Sequence, residues 1–198
     1  RSTPKPSSAA SDVYKRQTLE WHPYMLNPKM PKNGMDRKKY LINKFGSKHN
    51  AAEVYQKIIE TLSEHDIEIN FNNIKRTPST LDAHRLIHWA GLEGKQEEAI
   101  NSLFREYFVM GKDIGNNDVL SSIASNIGMN HKAFKHAIKT NKDVKSISDR
   151  IKNANTKGVT GVPCFIVNNQ YVLQGAQPTE LWLKVIDETV NHKNTKLH

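Results

Sequence analysis

The sequence predicts an α/β fold in which a small strand-and-helix core is interrupted by a large all-helical insertion. Three observations predict it. Gly158-Val159-Thr160-Gly161-Val162-Pro163-Cys164-Phe165-Ile166-Val167 is a glycine-punctuated loop that runs through Val-Pro into a short apolar strand. Asn168-Asn169-Gln170 then makes a hairpin turn into a second strand, Tyr171-Val172-Leu173. Between about residues 36 and 141 the apolar residues fall at helical spacing, apart from a short extended piece from Ile67 to Phe71.

Taken in order, residues 1–17 are dominated by Pro, Ser and Ala without strand or helix period. They read as a disordered tail, or as sequence foreign to the natural chain. Thr18 to Leu26 reads as a strand packed through Trp21 and Tyr24, and Pro23 demotes it to an edge. A Pro-rich loop follows from Asn27 to Asn33. Asp36 caps a helix that runs through Phe45 and stops at Gly46.

Ala51, Val54, Tyr55, Ile58, Ile59 and Leu62 give residues 49–65 a broad apolar helical face. Thr77-Pro78-Ser79 opens the next helix, whose face is Ala83, Leu86, Ile87 and Ala90 and whose end is Gly91. Residues 94–110 carry Ile100, Leu103, Phe104, Tyr107 and Phe108 at core spacing, and the three aromatics read as core. Leu120, Ile123, Ala124 and Ile127 repeat the pattern before Gly128. Phe134, Ala137 and Ile138 mark a short helix, and Val144, Ile147, Ile151 and Ala154 mark the one leading into Gly158.

Pro163 opens its strand, where a missing N–H harms the ladder least. Pinned between a turn and a strand, the Val162–Pro163 bond is a candidate for the cis form, against the commoner trans. Pro178 stands at the first turn of a closing helix with the stripe Leu181, Trp182, Val185, Ile186 and Val190.

The chain of 198 residues can bury one good core, or a core and a subdomain. Its net charge of +9 comes mostly from Lys scattered along helices. No Arg-rich run or basic strip interleaved with aromatics suggests a nucleic-acid groove, so no nucleic-acid partner is predicted. No apolar run approaches a membrane span, and no membrane partner is predicted. A single cysteine excludes an intrachain disulfide and a Cys-based zinc site, and fits a reducing, cytoplasmic setting. His84 and His88 stand i, i+4 on one helix, a spacing that can hold a metal. Arg85 occupies the position that Glu has in His-Glu-x-x-His, and no third ligand is apparent, so no metal is predicted.

The order loop–Pro–strand–hairpin–strand–helix resembles the second half of a thioredoxin fold. More specifically, residues 18–192 resemble the DsbA family, most closely its FrnE-like cytoplasmic branch. The motifs are Trp21-His22-Pro23-Tyr24-Met25-Leu26-Asn27-Pro28, Gly34-Met35-Asp36-Arg37, Arg76-Thr77-Pro78-Ser79-Thr80-Leu81-Asp82-Ala83-His84-Arg85-Leu86-Ile87, Gly158 to Phe165, and Gly175-Ala176-Gln177-Pro178. The resemblance implies a thioredoxin-like core formed by residues 18–35 and 142–198, with residues 36–141 as a helical insertion. It implies a thiol–disulfide oxidoreductase acting on a thiol- or disulfide-containing protein or small molecule, without a cofactor.

The family's Cys-x-x-Cys pair at a helix start has no counterpart here. Its first strand and active-site helix are expected to be missing as well. A parallel neighbour needs a crossover of about a dozen or more residues, and residues 1–17 are too few and too polar for a buried central strand. An N-terminally truncated chain, of marginal stability, is therefore expected.

What remains of the implied site is Val162 and Pro163, whose backbone would dock an extended substrate. Cys164, His84 and Arg85 are weaker candidates for the cleft wall. Cys164 reads either as a thiol near the site or as a small buried strand residue. Arg85 and Trp89 read either as cleft residues or as a stacked surface pair. Two other readings keep the fold: a glutathione-dependent isomerase or kappa-type glutathione transferase with Ser at the active site, and a non-catalytic binding scaffold. The oligomeric state is not legible.

Overall fold

The computed structural model describes residues 18–65 and 67–195, with backbone alone for 155 and 190–195. The expected tail over residues 1–17 and the Val190 side chain lie outside the described residues. The chain is mostly helical and divides into two compact units, one of residues 25–153 and one of residues 1–24 with 154–198.

The larger unit begins with a two-residue strand β1 (Met35–Asp36), followed by α1 (Arg37–Phe45) and α2 (Lys48–Ser63). A 3-10 turn (Phe71–Asn73) leads into β2 (Arg76–Thr77), then α3 (Leu81–Leu92) and α4 (Gln96–Phe104). A π turn (Arg105–Val109) follows α4, then α5 (Asn117–Asn126), α6 (His131–Lys139) and α7 (Val144–Thr156). The core lies where α3, α4, α5 and α6 meet, around Leu86, Ala90, Leu103, Leu120 and Phe134.

The termini of these helices follow the residues that cap them. The Asp36 carboxylate accepts from the Lys39 N–H at the start of α1, and Gly46, at φ 82°, closes it. The Ser47 and Asn130 side chains cap α2 and α6 in the same way. The helical unit begins before Asp36 and ends after Asn141 because both flanks are tied into it. The Tyr40 hydroxyl donates to Asn27 Oδ1 at 3.0 Å, and Asp143 grips α3.

Two segments motivated separately in the sequence meet here. β1 pairs antiparallel with β2, Met35 opposite Thr77 and Asp36 opposite Arg76. Gly34, at φ +67°, makes this approach possible, since a Cβ on it would lie 2.5 Å from the Thr77 carbonyl oxygen.

Three expectations need correction. Thr18 to Leu26 is not a strand: it has no ladder partner among the described residues, and Trp21 is 41% exposed. Pro23 cannot donate to a ladder, and Leu19, Trp21 and Leu26 are exposed. Phe104 is not core but 58% exposed, stacked on Phe108 with ring centroids 5.7 Å apart. The buried positions of α4 are Ala99, Ile100 and Leu103, which leaves Phe104 at the edge of their stripe, while Tyr107 in the following π turn is buried. The face of α2 is likewise open: Ala51 is buried, whereas Val54, Ile58 and Ile59 are exposed.

The smaller unit contains the expected hairpin and helix. β3 (Cys164–Val167) pairs antiparallel with β4 (Tyr171–Gln174), and α8 (Thr179–Thr195) follows. The turn uses Asn168 and Asn169 at φ 52° and 55°, the left-handed region that Asn tolerates better than most residues. Phe165 packs edge-on against Trp182 at 4.6 Å, which ties the hairpin to α8.

Candidate functional site

The Val162–Pro163 loop is fixed at both ends. At the end of α7 the Val159 N–H reaches back to the Ala154 carbonyl at 3.1 Å, Gly158 takes φ +80°, and Val159 turns inward to 9% exposure. At the other end the Gly175 N–H donates to the Pro163 carbonyl at 2.8 Å, continuing the β3–β4 ladder by one step. Gln174 bridges the two ends, its Nε2 donating to the Gly158 carbonyl at 3.4 Å and its Oε1 accepting from Thr160 Oγ1 at 3.5 Å.

Between these staples the chain turns outward. The Val162–Pro163 peptide is cis, and Val162 is 48% exposed although it is apolar. No hydrogen bond reaches the Val162 backbone among the described residues. Cys164, the next residue but one, is half-buried as the first residue of β3 and faces Gln174 across the ladder.

The other candidates lie on α3 in the helical unit. His84 and His88 are both half-buried. Burial lowers the His88 pKa below its usual value, and Arg150 adds to this with Nη1 3.4 Å from His88 Nδ1, against the opposing pull of Asp143. No group of three or more metal-ligating side chains occurs among the described residues.

Arg85 is 2% exposed, so it is not half of a stacked surface pair. All five of its N–H donors are used. Nε donates to Asp143, Nη1 to Asp82 and the Ile138 carbonyl, and Nη2 to the carbonyls of Ala137 and Thr140. Trp89 Nε1 donates to the other Asp143 oxygen at 2.8 Å. Sequence reasoning missed Asp143, which lies 58 residues from Arg85. The available signal was an Arg among Ala83, Leu86 and Ala90, since an Arg on an apolar stripe must find acceptors.

A second polar node also had no sequence signal. Arg37 donates to Thr77 Oγ1 at 3.1 Å, to Tyr107 Oη at 3.4 Å and to Tyr55 Oη. Burial raises the pKa of both tyrosines, and the nearby Arg37 charge opposes it. The node joins α1, α2, β2 and the π turn.

This hairpin-and-helix unit with its Val-Pro loop, joined to a helical unit, defines a protein of the DsbA-like thioredoxin class. The chain belongs to the DSBA-like thioredoxin domain family, whose pattern matches residues 6–187. It is 27% identical over 176 residues to the uncharacterized protein YwbO of Bacillus subtilis, covering 88% of this chain and 84% of that one. Its fold is similar to that of a probable DsbA oxidoreductase from Streptomyces coelicolor, with a TM-score of 0.75 and 21% identity over 84% of this chain and 72% of the other. No helix among the described residues is long and apolar enough to cross a membrane.

Proposed function

We propose that this chain supplies the substrate-docking part of a thiol–disulfide oxidoreductase of the FrnE-like branch, with Val162 and Pro163 as the docking residues. One observation carries the reading: an exposed apolar residue whose backbone has no hydrogen-bond partner among the described residues is held beside a strand by a loop stapled at both ends. An extended substrate segment would pair with the Val162 N–H and C=O as an added strand does. Cys164 stands next to the docking pair. His84 lies on α3 of the helical unit, a helix that Arg85 holds from within.

Exchange proceeds when a thiolate attacks a substrate disulfide sulfur, forming a mixed disulfide and releasing the other sulfur as a thiolate; a second thiol then resolves it. Such a cycle needs two thiols, and this sequence has one cysteine. The pair would come from a segment outside this sequence, acting on a thiol- or disulfide-containing protein or small molecule. Sparse cysteine supports a reducing compartment such as the cytoplasm.

The test joins the chain to the sequence encoded upstream of Thr18 in its gene. A Cys-x-x-Cys segment there, with catalysed disulfide exchange, is expected. Val162→Asp should raise KM about fivefold or more with little change in the fold. A Ser in that place with glutathione-dependent turnover would transfer the chain to the isomerase or kappa-type transferase reading. Exchange indifferent to Val162→Asp would remove the docking role.

A further inference from the structure

The charge of the chain is unevenly placed. Two stretches carry most of it: residues 29–48 hold seven Lys and Arg against one Asp, and residues 131–153 hold seven against two. The second of these lies beside a groove. Both carboxylates are already engaged: Asp143 holds Arg85 and Trp89, and Asp149 pairs with Lys145 at 2.8 Å. Lys132, Lys135, Lys139 and Lys142 are exposed and have no carboxylate within ion-pair distance among the described residues. Lys139 lies in the last turn of α6, where a cation complements the helix dipole; the other three have no such local role. Beside them an open groove of about 620 Å³ is lined by Lys142, Lys145, Ser146, Asp149, Arg150 and Asn153.

We propose that the solvent side of α6 together with this groove on α7 is a docking surface for an acidic polypeptide segment. The Lys142 ammonium and the Ser146 hydroxyl on the groove continue the row of lysines on α6, and the groove's carboxylate, Asp149, is neutralised by Lys145. A bilayer is a poorer fit, because the apolar side of α6 (Phe134, Ala137, Ile138) is buried in the protein's own core and is not free to enter lipid. Nucleic acid is a poorer fit as well. Six of the seven cations are Lys rather than the fork-shaped Arg, and no aromatic side chain lines the groove to stack a base.

This inference does not depend on the exchange reading, and its test uses the chain as it is. A fluorescein-labelled peptide of about ten glutamates is titrated by anisotropy at low salt and again near physiological salt. Binding that weakens steeply with salt is expected. The joint substitution Lys132→Gln, Lys135→Gln, Lys139→Gln and Lys142→Gln should weaken it about tenfold or more. A control with the same change of net charge at scattered exposed positions, Lys29→Gln, Lys57→Gln, Lys157→Gln and Lys184→Gln, should weaken it less than about threefold. Circular dichroism of both variants checks that the fold is kept.

Equal losses in the two variants would reduce the effect to net charge and overturn the proposal, as would the absence of binding at low salt. Duplex DNA or phosphatidylserine vesicles binding more tightly than the peptide through the same four lysines would also overturn it, and would give the face to that partner instead.

Discussion

Arg85 places a full positive charge inside the helical core, and its neighbours explain why it can stay there. Five acceptors surround it, two of them carboxylates and three the carbonyls at the end of α6 and just beyond. One side chain thereby fastens α3 to the α6–α7 junction. Removing Arg85 leaves Asp82 and Asp143 without their cation, at a cost of about 3–5 kcal/mol, whereas Asp143→Asn leaves Arg85 paired with Asp82. Arg85→Met is therefore expected to lower the unfolding free energy by about 3 kcal/mol in urea titrations, and Asp143→Asn by about 1.5 kcal/mol.

The pair also sets a pH dependence. Burial tends to raise the Asp143 pKa, but the hydrogen bonds from Arg85 and Trp89 and the Arg85 charge outweigh it, leaving the pKa below the ordinary 3.8. A carboxylate depressed in the folded state stabilises fully above its unfolded pKa. That contribution is lost as pH falls from near 3.8 through the folded value. Asp143→Asn should flatten the acid limb of the stability profile; an unchanged limb would show that Asp143 does not set it. The sequence showed the Arg on its stripe but not its partner, because nothing local ties residue 85 to residue 143.

Among the elements, the β1–β2 bridge does the most with the least. Two residue pairs hold the start of α1 against the approach to α3, and Gly34 lets the backbones close. Gly34→Ala meets both an unfavourable φ and a carbonyl oxygen 2.5 Å from the new Cβ. It should cost about 2 kcal/mol and lower the melting temperature, whereas Gly46→Ala, with no atom within 4 Å, should cost about 1 kcal/mol through φ alone.

The boundaries of α1 and the hairpin were legible because cap, stop and period agree there, whereas α5 and α6 showed their apolar spacing but not the Asn116 and Asn130 caps that start them. The β1–β2 pairing was not legible, since two residues are too short to show alternation. Thr18 to Leu26 misled because Trp, Tyr and Leu mimic a strand even where no ladder partner occurs among the described residues. Phe104 misled because it stands at the edge of the stripe of Ala99, Ile100 and Leu103, where spacing alone does not separate core from rim.

For the whole molecule, the order of elements was the most legible feature, and it led to the family before any coordinates were in hand. The candidate loop was equally plain, since a Val-Pro entering a strand after two glycines is a local signal. The two units differ in how they are built. The helical unit has a contiguous core of fully buried side chains. In the smaller unit the sheet among the described residues is two-stranded, with Ile166 and Val172 exposed on it. A two-stranded hairpin depends for its stability on what packs against it, whereas a packed helical core protects its amides up to global unfolding.

The central claim is that the helical unit has a closed core of its own, whereas the hairpin of the smaller unit is two-stranded among the described residues and has exposed apolar side chains on it. Amide hydrogen exchange on the chain at neutral pH tests it directly. The account predicts that the hydrogen-bonded amides of β3 and β4 exchange at least about tenfold faster than those of α3 around Leu86 and Ala90. Equal protection in the hairpin and in α3 would contradict it, because it would require the hairpin to be as firmly covered as the core.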